Sequence, residues 1–597
     1  MTTPLPENLE AALFRWFGHR DFRPGQKPVV QALVEGRSAL AIFPTGAGKS
    51  LCYQLPAMLL EGLTLVVSPL IALMKDQVMS LRARELPAAR LDSTRSEGEI
   101  AEIYEAMSSG HLKLLYVAPE RFVSEGFLAS LKRTKISLLA IDEAHCISEW
   151  GHNFRPEYLR LATLSKKFRI RRVLALSATA TPAVAKDIRR NFRILTRDHY
   201  QTSFHRPNLA IHITPVEPSH RLELLTQRLL TEKRFPAIVY CTLQHTTESV
   251  AAHLKKCGLN ARAYHAGLAD DVRAAAQDDF MTGCCEIIVA TIAFGMGIDK
   301  ANIRSVYHYN LPKTLENYQQ EIGRAGRDGL PAHCEMLACA EDLTVLQNFT
   351  LGNTPDEQSL RHLVDHLLRQ GREFDLSLHE LSRSTDVRPL VIETVLTYLE
   401  KEKILEATGT FYSVFRIAFR HPEEKILAGH PSDRQRLLRG IFSSGKRGRL
   451  WLTLDVAAAA KVLGVSSRRI LKTLDILEEA GDIDKKPAGI RHGFRLPGGA
   501  TTRHPKEVAD WLRDIFLRRE AQDLERLETV VGFAGNPDCS TRQLLKYFHE
   551  TLSSPCGHCG NCTGSPTRPP PPPPGRGISF EDLKNLQTPR SEQHAAL

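Results

Sequence analysis

The chain has 597 residues, enough for about four domains that each bury a core of their own. Its 78 lysines and arginines outnumber its 68 aspartates and glutamates, and the net charge of +10 favours a polyanionic partner. No run approaches the roughly 18 apolar residues of a membrane span, and the first residues lack the charged-then-apolar pattern of a secretion signal. These features exclude membrane-spanning and secreted proteins, so we expect a cytoplasmic protein, nucleoid-associated if its source is bacterial.

From about residue 37 to 340, short apolar runs alternate with amphipathic stretches. Examples are the runs 39–43, 63–67, 138–141, 173–176, 237–240 and 287–290. Such runs are typical of strands buried on both faces, which form parallel sheets with helical crossovers. Ligands bind these sheets beyond the carboxyl ends of the strands, and nearly every chemical motif here directly follows a run. A hinge near 202–208 predicts two α/β lobes, 1–203 and 204–345.

The first motif is Pro-Thr-Gly-Ala-Gly-Lys-Ser at 44–50, between an apolar run and a helix-like segment. It predicts a loop whose backbone N–H groups cradle phosphates, while Lys49 contacts the outer phosphates and Ser50 holds Mg²⁺. Phe43 takes the place of the first glycine of the strict pattern. A chance Gly-Lys-Ser turn is the alternative, which the flanking strand and helix disfavour. The predicted nucleotide ligands are Thr45, Gly46, Ala47, Gly48, Lys49 and Ser50, joined by Asp142.

Asp142 and Glu143 follow another apolar run. Two adjacent carboxylates suit different tasks there, because Asp142 can bind Mg²⁺ while Glu143 polarises the attacking water. An acidic pair after a strand is often only a solvated helix start, but beside a phosphate loop it predicts a hydrolytic site. Ser177–Thr179, after a further strand, predicts a link from nucleotide to nucleic acid, although Ser and Thr are common in loops.

A second phosphate-handling motif spans Gln320–Arg327. Its two arginines lie three residues apart and suit stabilisation of charge on a transferring phosphoryl group, with Arg327 as the arginine finger and Arg324 as a second phosphate contact. Neither motif completes a nucleotide site alone, so we predict a cleft shared by two lobes and a motor driven by hydrolysis. The predicted catalytic residues are Lys49, Asp142, Glu143, Gln320, Arg324 and Arg327.

Beyond residue 350 the pattern is mainly helical and contains a weak repeat. Val387, Ile392, Leu396, Leu399 and Glu400 align, 78 positions later, with Val465, Ile470, Leu474, Leu477 and Glu478. Each copy predicts a short helix, a turn, a longer helix and a strand, which is the outline of a winged helix. We predict two such units at 376–435 and 436–505. The alternative is that any two amphipathic helix pairs would align as well.

Eight of the twelve cysteines are scattered, as expected of reduced thiols in a core. The other four are Cys539, Cys556, Cys559 and Cys562. Four thiolates with two Cys-x-x-Cys steps predict a tetrahedral Zn²⁺ site. The alternatives are a redox pair, an iron–sulfur cluster, or His558 in place of one thiolate.

The last residues, 566–597, contain six consecutive prolines and little apolar sequence afterwards. They predict a disordered, extended tail, and recognition by a proline-binding partner is the alternative.

Taken in order, the motifs resemble those of the RecQ family of helicases. The segments that carry the resemblance are 17–18, 22–26, 44–50, 68–77, 142–145, 177–179, 295–300 and 320–327. The match covers roughly residues 10–345 and resumes at 518–562. It implies two tandem RecA-like lobes followed by a mostly helical zinc-binding and winged-helix region. It also implies a superfamily-two DNA helicase that uses ATP and Mg²⁺, translocates 3′ to 5′ and binds Zn²⁺.

The segment Cys146–Tyr158 resembles the aromatic-rich loop of that family. The resemblance implies that Trp150, Phe154 and Arg155 contact DNA close to Glu143. Aromatic faces stack on unpaired bases, so DNA contact could be sensed at the ATP site. The alternative is that both aromatic side chains are anchors in a core.

Departures from the family pattern affect both the DNA loop and the adenine site. Glu149 replaces a usual Gln and Asn153 a usual Asp, which puts the strength of DNA-to-ATP coupling in question. The resemblance implies that Gln26 hydrogen-bonds the adenine edge while Arg23 stacks on its ring. His19 stands where the family has Tyr, and an ordinary exposed histidine is the alternative there.

The implied DNA track adds four residues in the two lobes, Ser68, Arg121, Thr242 and Thr291. Hydroxyls, backbone amides and a guanidinium fix a strand without reading its sequence, so we expect salt-sensitive, sequence-tolerant binding. The expected partners are single-stranded and duplex DNA, forked or tailed, with single-strand-binding or repair proteins as candidate protein partners. We expect a monomer.

In the usual family order, the zinc module directly follows the second lobe and precedes one winged helix. Here the cysteines begin at Cys539, so we predict a zinc module split into 346–375 and 506–565 by the two winged-helix-like units.

Repair, recombination and replication are the expected pathways. Two alternative functions stay open: an RNA helicase of the same superfamily, and a DNA-annealing or scaffold protein with a vestigial motor.

Overall fold

The computed structural model describes residues 8–92, 95–149, 151, 153–295, 298, 300–497 and 504–564. Within this part of the chain, contacts define two compact units. The first comprises residues 8–119, 131–353 and 517–564, and the second comprises 120–130 and 354–516. The tail predicted at 566–597 lies outside the described residues. Among the helices that are described, none is both long and apolar enough to cross a membrane.

The first lobe is built on a seven-stranded parallel sheet. Its strands are β1 (Ala39–Ile42), β2 (Leu63–Val67), β3 (Ala88–Leu91), β4 (Leu114–Val117), β5 (Ile136–Ile141), β6 (Val173–Ser177) and β7 (His199–Gln201). The helices between them are α1 (Leu9–Phe17), α2 (Gln26–Val34), α3 (Leu51–Leu59), α4 (Ile71–Arg82), α5 (Glu97–Ser108), α6 (Glu125–Arg133), α7 (Glu157–Lys167) and α8 (Pro182–Phe192). The strand order is β3-β4-β2-β5-β6-β1-β7, and each pairing is parallel. The four apolar runs of this region form β1, β2, β5 and β6, almost wholly buried, because helices cover both faces.

The second lobe repeats this plan with six parallel strands. They are β8 (Leu209–Pro215), β9 (Ala237–Tyr240), β10 (Ala261–Tyr264), β11 (Ile287–Ala290), β12 (Ser305–His308) and β13 (Ala332–Ala338). Its helices are α9 (Pro218–Glu232), α10 (Gln244–Lys256), α11 (Asp270–Thr282), α12 (Leu315–Ile322) and α13 (Asp342–Leu351). The strand order is β10-β11-β9-β12-β13-β8. The predicted fold class, two tandem parallel-sheet lobes followed by a largely helical region, is confirmed.

The second unit combines helices with an antiparallel sheet. In chain order it contains α14 (Glu357–Leu368), β14 (Glu373–Leu376), α15 (Leu378–Thr385), α16 (Pro389–Lys401), β15 (Glu406–Phe419), α17 (Glu423–Ala428), α18 (Ser432–Ser444), β16 (Lys446–Arg447), β17 (Leu452–Asp455), α19 (Val456–Leu463), α20 (Ser467–Glu479) and β18 (Ile483–Arg495). The long helix α21 (Pro505–Gly535) then leads back to the first unit, where α22 (Ser540–Tyr547) follows.

The 78-residue repeat corresponds to β14-α15-α16-β15 and β17-α19-α20-β18. The sheet order is β14-β18-β15-β17-β16, so the long strands of the two copies pair with each other. The first strand of each copy also pairs with the long strand of the other copy. Phe415 and Ile417 of the first copy share one core with Ile470 and Leu474 of the second. The copies therefore form one interlocked domain, whereas the apolar pattern alone suggested two separate units at 376–435 and 436–505.

Candidate functional site

The glycine-rich loop at 44–50 connects β1 to the start of α3. Gly46 and Gly48 both have left-handed backbones, with φ of 83° and 80°. A Cβ on Gly48 would lie 2.6 Å from Nε2 of Gln26, and one on Gly46 would lie 3.0 Å from Cδ of Arg327. Each position thus requires glycine for two reasons: the left-handed backbone and the close approach of a neighbouring side chain. The loop ends at a helix N-terminus, where backbone N–H groups favour an anion.

Lys49 lies at the base of this loop, half-buried in the lining of a cleft. Its ammonium donates to the carbonyl of Phe43 over 3.4 Å, a long contact. Burial lowers the pKa of Lys49, while the carboxylates of Glu143 and Asp142 oppose that shift. A half-buried cation with only a long hydrogen bond is a good match for the outer phosphates of a nucleotide.

The carboxylates of Asp142 and Glu143 follow β5. Burial, reinforced by the charge of Glu143, raises the pKa of Asp142 to about 7. A bound cation would reverse that shift, and together with the hydroxyl of Ser50 the carboxylates provide the hard oxygen ligands that Mg²⁺ prefers. Within the described residues, Oε2 of Glu143 is buried and accepts no hydrogen bond, which leaves it available for water. This donor set fits a magnesium nucleotide.

A short polar chain leads from Glu143 into the sheet. Oε2 of Glu143 lies 3.3 Å from Nδ1 of His145, and that nitrogen lies 3.1 Å from the hydroxyl of Ser177. The Ser177 hydroxyl donates to the carbonyl of Thr179 at 2.8 Å. Burial lowers the pKa of His145 to about 3, so its ring is neutral at physiological pH. Ser177 and Thr179 thus lie close to Glu143 through His145, and the role of Ser177–Thr179 as a link stays a prediction.

The two arginines of the second motif lie in the loop after α12. Arg327 lies against Gly46 of the first lobe and donates to the carbonyl of Ile298 at 2.7 Å. Arg324 is buried, packs against Gly295 and donates to its carbonyl. Both guanidinium groups act on the pKa of Lys49, lowering it, which places their charge near the phosphate loop.

These groups line one cleft of about 860 Å³ between the two lobes. Residues of the loop and the carboxylate pair form its first wall, and Gln320, Arg324 and Arg327 form the second. All six residues predicted to be catalytic therefore border the same space. Their catalytic roles stay predictions.

The predicted adenine-binding residues lie at one side of this cleft. His19 and Arg23 are exposed, and the Arg23 guanidinium donates to the carbonyl of Gly46 at 2.7 Å. The amide of Gln26 accepts from the Arg23 N–H at 2.9 Å and donates to the Gly48 carbonyl at 2.9 Å. Gln26 thus supports the phosphate loop directly, and binding of adenine would require it to exchange these bonds.

The linker between the lobes contributes a contact that the motifs did not reveal. The Arg206 guanidinium donates to the carbonyls of Ala325 at 3.0 Å, Gly326 at 2.7 Å and Gly323 at 3.4 Å. The amide of Asn208 adds a bond to Gly326 at 2.8 Å. The linker therefore fixes the backbone that carries both arginines.

The aromatic-rich loop lies beside the carboxylate pair in the chain. Trp150 lies outside the described residues, as do Met296, Gly297 and Asp299 of the segment at 295–300. Phe154 is half-buried, and the Arg519 guanidinium of α21 lies 4.6 Å from its ring centroid. Sequence reasoning missed Arg519, because only the fold brings α21 to this loop.

Arg155, also predicted to contact DNA, is half-buried, and its backbone N–H donates to the carbonyl of Cys146 at 2.9 Å. That bond fixes the backbone of the loop at Arg155. Its role in DNA contact stays a prediction.

The predicted DNA track is only partly assembled. Thr242 and Thr291 follow the neighbouring strands β9 and β11 and border one surface pocket. Ser68 is 2% exposed, and its N–H donates to the Val117 carbonyl, so this structure does not present it to a strand. Arg121 is half-buried in a short 3-10 helix and belongs to the second unit.

The four late cysteines converge around the start of α22. Their sulfur atoms all lie within 4.8 Å of one another, with closest pairs at 3.9 and 4.0 Å. Thiolates on a tetrahedron with Zn–S bonds of ~2.3 Å would lie about 3.8 Å apart, so the cluster fits Zn²⁺. The N–H groups of Cys556 and Cys559 each donate to a neighbouring sulfur at 3.3 Å. The group of converging ligand atoms consists of the four cysteines without His558, whose Nδ1 lies 2.8 Å from the Cys556 carbonyl.

The zinc module packs on the second lobe at α12, the helix before the arginines. Tyr547 donates to Glu316 at 2.8 Å, and the Phe533 and Tyr318 rings lie 5.6 Å apart. The Gly560 N–H donates to the Ile211 carbonyl at 2.9 Å, which covers the edge strand β8.

The same module also contacts the linker. The Glu550 carboxylate accepts from the Ser203 hydroxyl at 2.7 Å and from the Phe204 N–H at 2.9 Å. The Phe548 and Phe204 rings lie 4.6 Å apart. One small module thus holds both the linker and α12, the helix before the two arginines.

Comparison with known families agrees with the two lobes and with the zinc module. The family model of the DEAD/DEAH box helicases matches residues 23–188, and that of the helicase conserved C-terminal domain matches 220–329. The two lobes are thus those of a helicase. The RecQ zinc-binding family matches residues 514–563, which contain the four cysteines.

Similar proteins carry the comparison further. The chain is 43% identical over 351 residues to the ATP-dependent DNA helicase RecQ of Haemophilus influenzae, covering 58% of this chain and 56% of that protein. It is 41% identical to the probable ATP-dependent DNA helicase RecS of Bacillus subtilis, covering 56% and 67%. It is 31% identical to the ATP-dependent DNA helicase Q-like 5 of Arabidopsis thaliana, covering 85% and 57%.

The chain belongs to the RecQ family of helicases. Its cofactors are ATP and Zn²⁺, as predicted, and the four-cysteine cluster is the zinc site. That the residues of the cleft bind the ATP stays a prediction. The alignments span a little over half the length of most of the curated relatives that the chain matches.

Proposed function

We propose that the protein is an ATP- and Mg²⁺-dependent DNA helicase that moves 3′ to 5′ along one strand and displaces the other, in repair, recombination or replication. The observation that carries this proposal is the contact of Arg327 with Gly46 across the cleft. A phosphate loop from one lobe and a guanidinium from the other border the same nucleotide space. The names of the relatives, all DNA helicases, support DNA as the substrate.

In the proposed cycle, the loop N–H groups and Lys49 bind the triphosphate. Glu143 orients and polarises the attacking water, and Arg327 stabilises the charge that develops on the transferred phosphoryl group. Ser50 and Asp142 would hold Mg²⁺, which would neutralise charge on the phosphate oxygens when bound. Because one wall of the cleft belongs to each lobe, hydrolysis removes the anion that both walls bind, and the lobes separate.

Movement must be coupled to DNA contact for this cycle to produce translocation. The polar chain from Glu143 through His145 to Ser177 offers one path of coupling inside the first lobe. The aromatic-rich loop offers another, since Phe154 follows Glu143 by eleven residues and meets Arg519 of α21, the helix that precedes the four cysteines. A base stacked on this loop would therefore alter groups near both the hydrolytic carboxylate and the zinc module.

A strand-displacement assay on forked, 3′-tailed, 5′-tailed and four-way DNA tests the proposal. We expect ATP-dependent displacement on forked and 3′-tailed DNA but not on 5′-tailed DNA, and none with Lys49→Ala. Annealing by both the wild type and Lys49→Ala, without displacement, would instead identify a DNA-annealing or scaffold protein. Stronger stimulation of ATP hydrolysis by RNA than by DNA would identify an RNA helicase.

A further inference from the structure

A second pocket, of about 620 Å³, lies on the second lobe at the carboxyl ends of β9 and β11. Thr242, Thr291, Gln244 and the ring of Phe349 are among the residues that line it. Its volume is within the about 300 to 1,000 Å³ typical of ligand sites. The pocket therefore combines an apolar ring with hydroxyls that belong to the predicted DNA track.

Phe349 presents its ring to solvent from a rigid helix. It is 42% exposed, although phenylalanine is usually buried. At the start of α13, the Asp342 carboxylate accepts from Arg221 at 2.8 Å, from Asn310 at 2.7 Å and from the Leu311 N–H at 2.9 Å. Phe349 follows Asp342 by seven residues, two helical turns, so both lie on one helix face. The anchored carboxylate thus holds the start of the helix that carries the exposed ring.

One side chain links this helix to the predicted track. Asn310 accepts from the Thr242 N–H at 3.1 Å while its amide nitrogen donates to Asp342. The loop after β9 and the start of α13 therefore move together. A strand that passes Thr242 would meet the Phe349 ring at a set position.

The charges of the pocket decide which part of a nucleotide can approach the ring. Glu248 lines the pocket, and its carboxylate lies 3.0 Å from Nε2 of His265. Its side chain is still 58% exposed, so it would repel a phosphate. The hydroxyls of Thr242 and Thr291 can instead donate to a phosphate or sugar. The ring and the carboxylate together favour a base with its phosphate directed at the threonines.

We propose that Phe349 stacks on a base of the single strand whose backbone passes Thr242 and Thr291. The proposal rests on the proposed DNA-translocating function and adds an aromatic contact on the second lobe to the one predicted on the first. Every base has an aromatic face, so the contact tolerates any sequence. A single stacked base contributes about 5-fold to 150-fold to affinity.

The test is the affinity of the full chain for a fluorescent oligothymidylate. We expect Phe349→Ala to bind about tenfold more weakly. Phe349→Trp should keep the wild-type affinity, whereas Phe349→Leu, which is apolar but lacks a ring face, should bind like the alanine variant. Phe14→Ala removes a phenylalanine of α1 that is 57% exposed, more than Phe349, and should bind like the wild type.

A second measurement separates stacking from a structural effect. Abasic sites are placed one at a time along the oligonucleotide, and each is tested with wild type and Phe349→Ala. We expect one position at which base removal weakens the wild type but not the variant, because both changes delete the same contact. Equal affinities of wild type and Phe349→Ala for the intact oligonucleotide would overturn the proposal if the wild type still unwinds DNA. The same holds if each abasic site weakens the binding of both proteins to the same extent. A wild type that neither binds nor unwinds DNA would overturn the proposed function as well.

Discussion

At the residue scale, the ATP site depends on backbone conformations that few side chains allow. Glu143 has φ of 49°, a left-handed conformation that costs a non-glycine residue about 1 to 2 kcal/mol. Bonds on either side hold it there, since the Asp142 N–H donates to the Val67 carbonyl at 2.9 Å and the Tyr158 hydroxyl donates to the Asp142 carbonyl at 3.1 Å. This conformation turns the carboxylate toward the cleft, so the strained backbone serves to position a group of the site.

The first prediction concerns Arg327, which contacts the loop at Gly46. Its guanidinium is the charge best placed to stabilise a transferring phosphoryl group, whereas Lys49 and the loop N–H groups bind the ground state. We expect Arg327→Ala to lower kcat by about 10³-fold or more and to change nucleotide affinity little. Steady-state ATP hydrolysis and equilibrium binding of a fluorescent ATP analogue measure the two effects.

A matched control for Arg327 is Arg197→Ala, which removes an arginine whose side chain is 72% exposed. It should leave both quantities unchanged. Normal turnover in Arg327→Ala would remove the finger role and leave Arg324 as the remaining candidate in the motif.

At the element scale, α12 and the loop that follows it are held from two directions. The linker holds the loop through Arg206, and the zinc module holds the helix through Tyr547 and Phe533. The module also holds the linker through Glu550. The position of the arginines is therefore set by elements far away in the chain, and a change in either element should reach hydrolysis.

The second prediction tests the linker. Arg206→Lys keeps a charge but lacks the planar fork that donates to several carbonyls, so the loop at 323–326 should shift. We expect kcat for ATP to fall about 10²-fold, since small displacements of catalytic groups have effects of that size, with a smaller change in KM. Arg262→Ala, on β10 of the same lobe, is the control and should keep normal turnover. An unchanged kcat with a lowered Tm would limit Arg206 to a stabilising role.

The third prediction concerns removal of zinc. A chelator that strips Zn²⁺ but leaves Mg²⁺ should unfold the module around the four thiolates, because its small core depends on the metal. The contacts of Tyr547 and Phe533 with α12 would then be lost. We expect the rate of ATP hydrolysis in the absence of DNA and the affinity for DNA both to fall. Both should fall in proportion to the zinc released, which a colorimetric dye measures.

Two cysteine variants control the chelation experiment. Cys556→Ser should reproduce the loss, and Cys257→Ser, at an exposed cysteine outside the cluster, should not. Zinc-free protein that keeps its Tm and its DNA-free hydrolysis would contradict the proposed support of α12.

At the scale of the whole molecule, the sequence predicted those features that depend on short stretches of neighbouring residues. Buried apolar runs predicted the central strands, and motifs at their carboxyl ends predicted the residues of the cleft. The edge strand β8 and its neighbour β13 were missed because β13 buries His333 and Glu335, whose polarity hides the strand. The carboxylate of Glu335 is satisfied by Thr214 of β8 at 2.7 Å, a contact that only the folded pairing creates.

Contacts between segments that are far apart in the chain explain the other differences between the sequence predictions and the structure. The repeat was visible as a pattern, but pairing of β15 with β18 joins the copies, and strand partners leave little trace in an apolar pattern. The contacts of Arg206, Arg519 and Tyr547 likewise join segments far apart in the chain. Each uses a residue type that is common on protein surfaces, so no local signal marked it.

The fourth prediction concerns the movement of the lobes. Lys49 and Arg327 bind the same triphosphate from opposite walls, so a bound ATP analogue should draw the lobes together and ADP should draw them less. Spin labels on Cys257 in the second lobe and on Glu102→Cys in the first, in a Cys284→Ser background, place one exposed probe on each. We expect the distance distribution to shorten and narrow with the analogue, and Lys49→Ala to abolish the change.

Arg327→Ala makes this test specific, because it keeps the phosphate loop and removes only the contact from the second wall. If nucleotide draws the lobes together through that contact, the variant should bind the analogue yet retain the broad distribution of the free protein. Identical distributions for free, ADP-bound and analogue-bound wild type would show that the lobes do not respond to nucleotide, and hydrolysis in the cleft would then have no means of moving DNA.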